Sequence, residues 1–224
     1  MIRRLPPERR HLVLTLALTF STGIVDAIGY LGLDRVFTGN MTGNVVILGM
    51  AIVGAEDLPV LGPVLALGGF MAGAALGGRA LKNAPEGWSG RTTLLFGLVG
   101  VVIAGLAVLV LFDETPERPV ALTVTTLLGA AMGLQAAVAR FIAVKDVTTV
   151  VVTSTITGLA ADSVLGSGRG AGSARRVAAV LLILAGAAVG AALLTVHLAA
   201  GLLASALITL MVCTLGSLRV HNGQ

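Results

Sequence analysis

Long apolar windows follow one another along most of this chain, and their few polar residues are mostly Thr and Ser. A helix needs about 20 predominantly apolar residues to cross the hydrocarbon core of a bilayer. The pattern therefore predicts an all-α membrane protein with six transmembrane helices. The windows are 12–33, 59–81, 92–112, 119–140, 175–195 and 198–217.

Two shorter and more polar segments interrupt this pattern. Residues 36–54 read VFTGNMTGNVVILGMAIVG, and residues 144–162 read VKDVTTVVVTSTITGLAAD. Each begins with a Gly/Thr/Asn-rich or β-branched stretch that forms helix poorly. We expect two broken or re-entrant segments. Eight shorter spans are the alternative, since about 5 extended residues and a helix of about 14 could also cross the bilayer.

The chain also repeats itself. AGAALG at Ala72–Gly77 recurs as AGAAVG at Ala185–Gly190, an offset of 113 residues. GIVDAIG at Gly23–Gly29 aligns with GLQAAVA at Gly133–Ala139 at an offset of 110, and the two short segments align at about 111. These matches predict a single transmembrane domain, 1–224, built from two repeats at approximately 1–113 and 114–224.

The basic residues lie at the ends of the apolar windows, where membrane topology explains them better than a nucleic-acid partner would. With six spans, 13 of the 15 Lys and Arg residues fall on one side, whereas eight spans divide them 9 to 6. The positive-inside rule favours six spans with both termini in the cytoplasm. Three spans per repeat is an odd number, so the second repeat must be inverted relative to the first.

The stretch TGNMTGN at Thr38–Asn44 is the most unusual in the chain. Asn40 or Thr42 could cap a following helix at Val45–Val53. A helix N-terminus within the membrane presents unpaired N–H groups and a partial positive charge, which suit an anion or the negative end of a polar solute. The alternative is a cap with close helix packing and no ligand. We predict substrate-binding roles for Thr38, Asn40, Thr42 and Asn44.

The counterpart in the second repeat, TTVVVTSTITG at Thr148–Gly158, supplies hydroxyl groups instead of amides. Thr149, Thr153 and Thr155 are the candidates there. Ser and Thr side chains in membrane helices also bond back to their own backbone, so a structural role is equally open.

Asp26 lies inside the first predicted span, and acidic residues within a membrane mark a functional site by default. It could bind a cation, carry a proton, or pair with a basic group such as Arg140. Gln135 is one position from Ala136, the repeat-equivalent of Asp26, so the two halves differ chemically here. We add both Asp26 and Gln135 to the candidate substrate site.

Other chemistry has little support in the sequence. Cys213 is the one cysteine and the three histidines are scattered, so we expect no metal and no cofactor. No nucleophile and base pair is evident, so we expect no enzyme. Glycines at 69, 73, 77, 186 and 190 form small-xxx-small steps that pack helices closely and could also support a homo-oligomer.

Three stretches of this sequence resemble the YoaK-type family of bacterial multi-spanning membrane proteins. They are GIVDAIGYLGL with Asp26, VFTGNMTGNVVILG, and GLQAAVARF followed by DVTTVVVTSTITG. The resemblance covers nearly the whole chain and implies a multi-pass location in the bacterial inner membrane. It implies no substrate.

The leading hypothesis is a small transporter or channel in the lipid bilayer. Its site for a small polar or charged solute would lie at the repeat interface near the midplane, and transport could couple to protons through Asp26. The alternative is a non-transporting assembly or partner protein whose polar centre is structural.

Overall fold

The computed structural model describes residues 6–55, 57–112, 116–142, 152–168 and 172–217. All regular structure within these ranges is helical, and six of the helices are long and apolar enough to cross a membrane. The prediction of an all-α membrane protein is confirmed. The helices are α1 Pro7–Gly32, α2 Met41–Ile52, α3 Leu61–Leu81, α4 Gly90–Leu109, α5 Arg118–Ile142, α6 Val152–Ala161, α7 Ser173–Leu194 and α8 Leu198–Ser217.

The long helices pack as three pairs: α1 with α7, α3 with α5, and α4 with α8. The first two pairs are parallel. On α1 and α7, for example, Phe20 lies opposite Gly186 and Ile24 lies opposite Gly190. The α4–α8 pair is antiparallel, because Gly97 contacts Cys213 and Gly100 contacts Leu210. The central cluster of buried apolar side chains comes mainly from α1, α4, α5 and α8.

The two parallel pairs use the same glycine contacts. Gly73 of α3 packs against the backbone of Ala130 of α5, and Gly186 of α7 packs against Phe20 of α1 in the same way. A Cβ at either glycine would collide with the facing carbonyl oxygen. Gly186 follows Gly73 by 113 residues and Ala130 follows Phe20 by 110, which are the offsets of the sequence matches.

The segment before α2 runs back along α1 as an extended limb, residues 36–40. At its start the Val36 N–H donates to the Gly29 carbonyl over 3.3 Å. At its end Gly39 lies against Thr22, about two helical turns earlier on α1. The limb therefore returns toward the interior of the bundle.

Helix α2 then reverses direction beside the limb. Asn44, in its first turn, hydrogen-bonds to the backbone of Phe37, and Gly43 lies against the ring of Phe37. Helix α3 begins where the limb began, because Gly62 contacts Val36. The first short segment thus enters and leaves at one end of α1, and it does not cross the bundle.

Helix α6 is anchored to α7 at its C-terminal end. The Arg176 guanidinium of α7 donates to the Gly158 carbonyl over 2.8 Å and forms an ion pair with Asp162 at 2.7 Å. Residues 143–151, which form the first part of the second short segment, lie outside the described residues.

Candidate functional site

A stripe of polar side chains leads along α1 to Asp26. Thr15, Thr19, Thr22 and Asp26 are spaced four, three and four residues apart, so they share one helix face. The Thr19 hydroxyl donates to the Thr15 carbonyl over 3.1 Å, and the Thr22 hydroxyl donates to the Leu18 carbonyl over 2.9 Å. These back-bonds occupy the hydroxyl protons and leave oxygen lone pairs facing inward.

The Asp26 carboxylate holds the limb. Its Oδ1 accepts from the backbone N–H groups of Thr38 at 3.0 Å, Gly39 at 2.6 Å and Asn40 at 3.3 Å, and from the Thr38 hydroxyl at 3.5 Å. Successive N–H groups converging in this way form an anion-binding nest. These N–H groups, which precede α2, therefore bind the chain's own carboxylate.

The Asn44 side chain joins α2 to the limb through hydrogen bonds to both backbone groups of Phe37. Its Oδ1 accepts from the Phe37 N–H over 2.8 Å, and its Nδ2 donates to the Phe37 carbonyl over 2.6 Å. The side chain is only 1% exposed. The Phe37 ring stacks on Tyr30 of α1, with centroids 4.9 Å apart. These contacts fix the limb between the two helices.

Asn40, the first of the two asparagines in TGNMTGN, has a different environment from Asn44. Asn40 is the N-cap of α2, and its side-chain oxygen accepts from the Gly43 N–H over 3.3 Å. Both Asn40 and Thr42 are exposed at the surface of the described structure, whereas Thr38 is fully buried. The capping expectation for Asn40 matches this geometry.

Gln135 of α5 meets the polar stripe at Thr22. Its Nε2 donates to the Thr22 hydroxyl oxygen over 3.2 Å, one turn before Asp26. The side chain is 1% exposed, and within the described residues its Oε1 has no hydrogen-bond partner. A buried acceptor without a partner costs about 1–3 kcal/mol. Four polar residues therefore come together in one layer of the bundle, which we call the polar layer: Thr22, Asp26, Thr38 and Gln135.

Asp26 is half-buried, and no basic side chain of the described residues contacts it. Within the ranges that the structure describes, its partners are the limb backbone and the Thr38 hydroxyl. Arg140, which we considered as an ion-pair partner, is exposed and does not bind it. No group of three or more His, Cys, Asp or Glu side chains that could hold a metal ion occurs among the described residues.

The sequence matches a protein family over most of its length. The family described as "Protein of unknown function (DUF1275)" matches residues 14–215. The chain belongs to this family. The UPF0700 transmembrane protein YoaK of Bacillus subtilis (strain 168) is 32% identical over 154 residues, which cover 68% of this chain and 67% of that protein. No solved structure matches. The DUF1275 membership confirms the resemblance, and with the six apolar helices it supports a multi-pass membrane protein.

The second short segment of this DUF1275 protein is less completely described. Thr155 is buried at 6% exposure, at the repeat-equivalent position of Asn44. Thr153 is exposed on α6, and Thr149 lies outside the described residues. A shared site for the three threonines therefore stays a prediction.

Two buried residues that contribute to the polar layer escaped the sequence analysis. Thr22 links Gln135 to the Asp26 face, and Gly39 allows the limb to approach that face closely. The spacing of Thr15, Thr19, Thr22 and Asp26 carried a signal for Thr22, because it is the spacing of one helix face. A separate buried contact, between the Ser21 and Ser205 hydroxyls at 2.7 Å, joins α1 to α8.

Proposed function

We propose that this protein is a small transporter for a small polar or charged solute, with its site in the layer around Asp26. The observation that carries the proposal is a carboxylate inside a membrane-spanning helix that holds the backbone of a re-entrant limb. It has no basic partner among the described residues. Any ion or solute that neutralises Asp26 must change how the limb is held.

The proposed mechanism uses the limb as the moving part. An ionised carboxylate accepts hydrogen bonds about twice as strong as those of a neutral acceptor. A proton or a bound cation at Asp26 therefore weakens the attachment of Thr38, Gly39 and Asn40. The limb and α2 can then shift from α1 and open the polar layer toward the end of the bundle where α3 begins.

The arrangement of the long helices supports alternating access. The parallel pair α1–α7 runs in the opposite direction to the parallel pair α3–α5, and both use equivalent glycine contacts. Two inverted repeats related in this way are a recurring plan of transporters, with broken segments meeting near the midplane. We therefore propose that 1–113 and 114–224 are inverted repeats. From the family resemblance we propose the bacterial inner membrane, and from the charge count we propose that both termini are cytoplasmic.

A non-transporting role is the second candidate. The observation that favours it is the complete pairing of Asn44 with Phe37, because a buried amide used as a clamp is not available to a solute. In this case the protein would assemble with, or support, another membrane component, and the polar layer would fix the fold.

Solute-driven ion movement in proteoliposomes separates these candidates. The purified protein is reconstituted in vesicles that contain a pH-sensitive dye and a potential-sensitive dye. Single solutes are then added from a panel of alkali cations, inorganic anions, amino acids, short carboxylic acids and sugars. We expect at least one solute to move protons or charge faster than in protein-free vesicles. We also expect Asp26→Asn to remove the effect.

Asp34→Asn is the matched control for this experiment. Asp34 is exposed just beyond α1 and has a φ of 60°, a conformation that Asn tolerates well. The control makes the same change of charge and should transport like the unaltered protein. If no solute produces a signal above protein-free vesicles, the non-transporting candidate is favoured.

A further inference from the structure

Two oxygen atoms in the polar layer remain available after the limb is bound. Within the described residues, every hydrogen bond to the Asp26 carboxylate ends on Oδ1, which leaves Oδ2. The second atom is Oε1 of Gln135, which is buried and has no hydrogen-bond partner among the described residues. Native structures rarely leave such an acceptor unmatched without a reason.

Thr22 lies beside both side chains that carry these oxygens. Its hydroxyl oxygen lies 3.2 Å from the Gln135 amide nitrogen. Thr22 and Asp26 are four residues apart on one face of α1, where side chains are neighbours. Both flank Gly39: a Cβ placed there would lie 3.1 Å from the Thr22 methyl group and 3.5 Å from Asp26 Oδ2.

The chemistry of this cluster selects a cation. The cluster offers the two available oxygens, one of a carboxylate and one of an amide, beside the Thr22 hydroxyl oxygen, and oxygen atoms are the ligands that hard cations prefer. An anion would face the charge of Asp26 with the nearby N–H groups already occupied. A single carboxylate balances one positive charge, whereas protein sites for divalent ions usually collect several.

No competing ionisable group faces Asp26 in the ranges that the structure describes. The limb contributes Thr38, α5 contributes Gln135, and α7 packs through Gly186. On the far side α8 reaches α1 through Ser205. An unpaired charge in the membrane interior is expensive, so a cation that balances the carboxylate removes part of that cost.

We propose that Asp26, Gln135 and Thr22 form a binding site for a small monovalent cation, either a proton or an alkali metal ion. Asp26 supplies the charge, and Gln135 supplies a neutral oxygen that Thr22 orients. The inference deepens the proposed function and rests on it in one respect, since the cation is then the ion that drives or accompanies transport.

Thermal unfolding of the purified full chain in detergent tests this site without any transport assay. The melting temperature is compared in LiCl, NaCl, KCl and choline chloride at one ionic strength and pH 8. A cation that binds only the folded state at about ten times its Kd should raise the melting temperature by about 3–6 °C over choline. In a second arm, the pH is lowered from 8 to 5 in choline alone. A proton held more tightly by the folded state raises the melting temperature as the pH falls.

Three variants locate the effect. Gln135→Leu removes the unmatched amide oxygen with little change of volume, so it should fold well in choline and lose most of the alkali-ion shift. Asp26→Asn should lose both the alkali-ion shift and the stabilisation at low pH. The control Asp34→Asn should keep both, because Asp34 lies outside the polar layer.

The outcomes distinguish a metal ion from a proton, and they test the cation site separately from the proposed transport function. A shift with one alkali ion over choline identifies a metal ion, whereas an Asp26-dependent effect of pH alone identifies a proton. A full alkali-ion shift in Gln135→Leu would overturn the three-residue site, as would the absence of any Asp26-dependent effect of salt or pH. Cation binding without solute-driven flux would contradict the proposed function and leave this site standing.

Discussion

The two short helices are anchored at opposite ends. Helix α2 is held where it begins, by Asp26 and Asn44, which bind the backbone of the limb inside the bundle. Helix α6 is held where it ends, by Arg176, which binds Gly158 and Asp162. Ala136, which follows Asp26 by the 110 residues of the sequence match, has no side-chain group that could hold a limb.

This difference shows how two halves with similar packing can have different chemistry. The glycine contacts between long helices recur in both halves, because close packing requires only small residues. Among the described residues, Asp26 is the one acidic residue in the interior of a long helix. It gives one half a group on which an ion can act, whereas the aligned Ala136 offers none. Substitutions at the two anchors test whether they differ in strength as this comparison requires.

The largest effect is expected from Asp26→Ala. This change leaves the N–H groups of Thr38, Gly39 and Asn40 without their acceptor in a largely buried layer. We expect a loss of about 3–5 kcal/mol in the free energy of unfolding, on the scale of removing one partner from a buried charged network. Unfolding in mixed micelles with increasing SDS measures it. A loss below that of Arg176→Met would reverse the proposed order of the anchors.

Asn44→Leu should have the next largest effect. The substitution keeps the apolar volume but leaves the Phe37 N–H and carbonyl groups unpaired beside a buried side chain. We expect a loss of about 2–4 kcal/mol, because each buried unmatched group costs about 1–3 kcal/mol. The control is Thr42→Val, an exposed position in the same turn, which should change stability little. Equal losses in the two variants would show that the hydrogen bonds between Asn44 and Phe37 contribute little to stability.

Arg176→Met should affect α6 and leave α2 unchanged. The Arg176 side chain is 14% exposed and that of Asp162 is 27% exposed, so water screens this ion pair. We expect a loss of about 1–2 kcal/mol. Limited proteolysis in the connection after α6, near Gly166–Gly168, should accelerate. Faster cleavage between α2 and α3 in the same variant would argue that the two anchors are coupled.

The smallest effect on stability is expected from Gln135→Leu. The amide makes one hydrogen bond to Thr22 and leaves Oε1 without a partner in the described structure. Removal of an unmatched polar atom offsets the lost hydrogen bond, so the free energy of unfolding should change by less than about 1 kcal/mol. The same SDS titration measures it. A loss as large as that of Asn44→Leu would mean that Gln135 is a structural anchor.

The sequence predicted the long helices well because their signal is strong. Windows of about twenty apolar residues leave few alternatives, and the observed helices begin and end within a few residues of them. The first window is the exception, since α1 begins at Pro7 and includes Glu8, Arg9 and Arg10, which the apolar criterion excluded. The first polar segment was also located correctly, because Gly and Asn interrupt the apolar pattern there, whereas the second is described only from residue 152.

The details of the site could not be predicted because they depend on backbone geometry. The residues of TGNMTGN are alike in composition, yet Asn44 is buried and Asn40 is exposed. Only the reversal between the limb and α2 decides which amide faces inward. The contact of Gln135 with Thr22 joins residues 113 positions apart, and no local pattern specifies it. The sequence marked Asp26 as a candidate binding group, but it did not show that the chain itself occupies one of its oxygens.

Hydrogen exchange of the limb amides tests the central claim most directly, which is that the charge of Asp26 holds the limb. The full chain in nanodiscs is compared with Asp26→Asn, and exchange is followed at Thr38, Gly39 and Asn40 and along α6. Loss of about 1.4 kcal/mol from the charge-assisted hydrogen bonds corresponds to tenfold faster exchange. The account predicts an acceleration of at least about tenfold at the limb, with α6 unchanged. Equal protection of the limb in both proteins would contradict it.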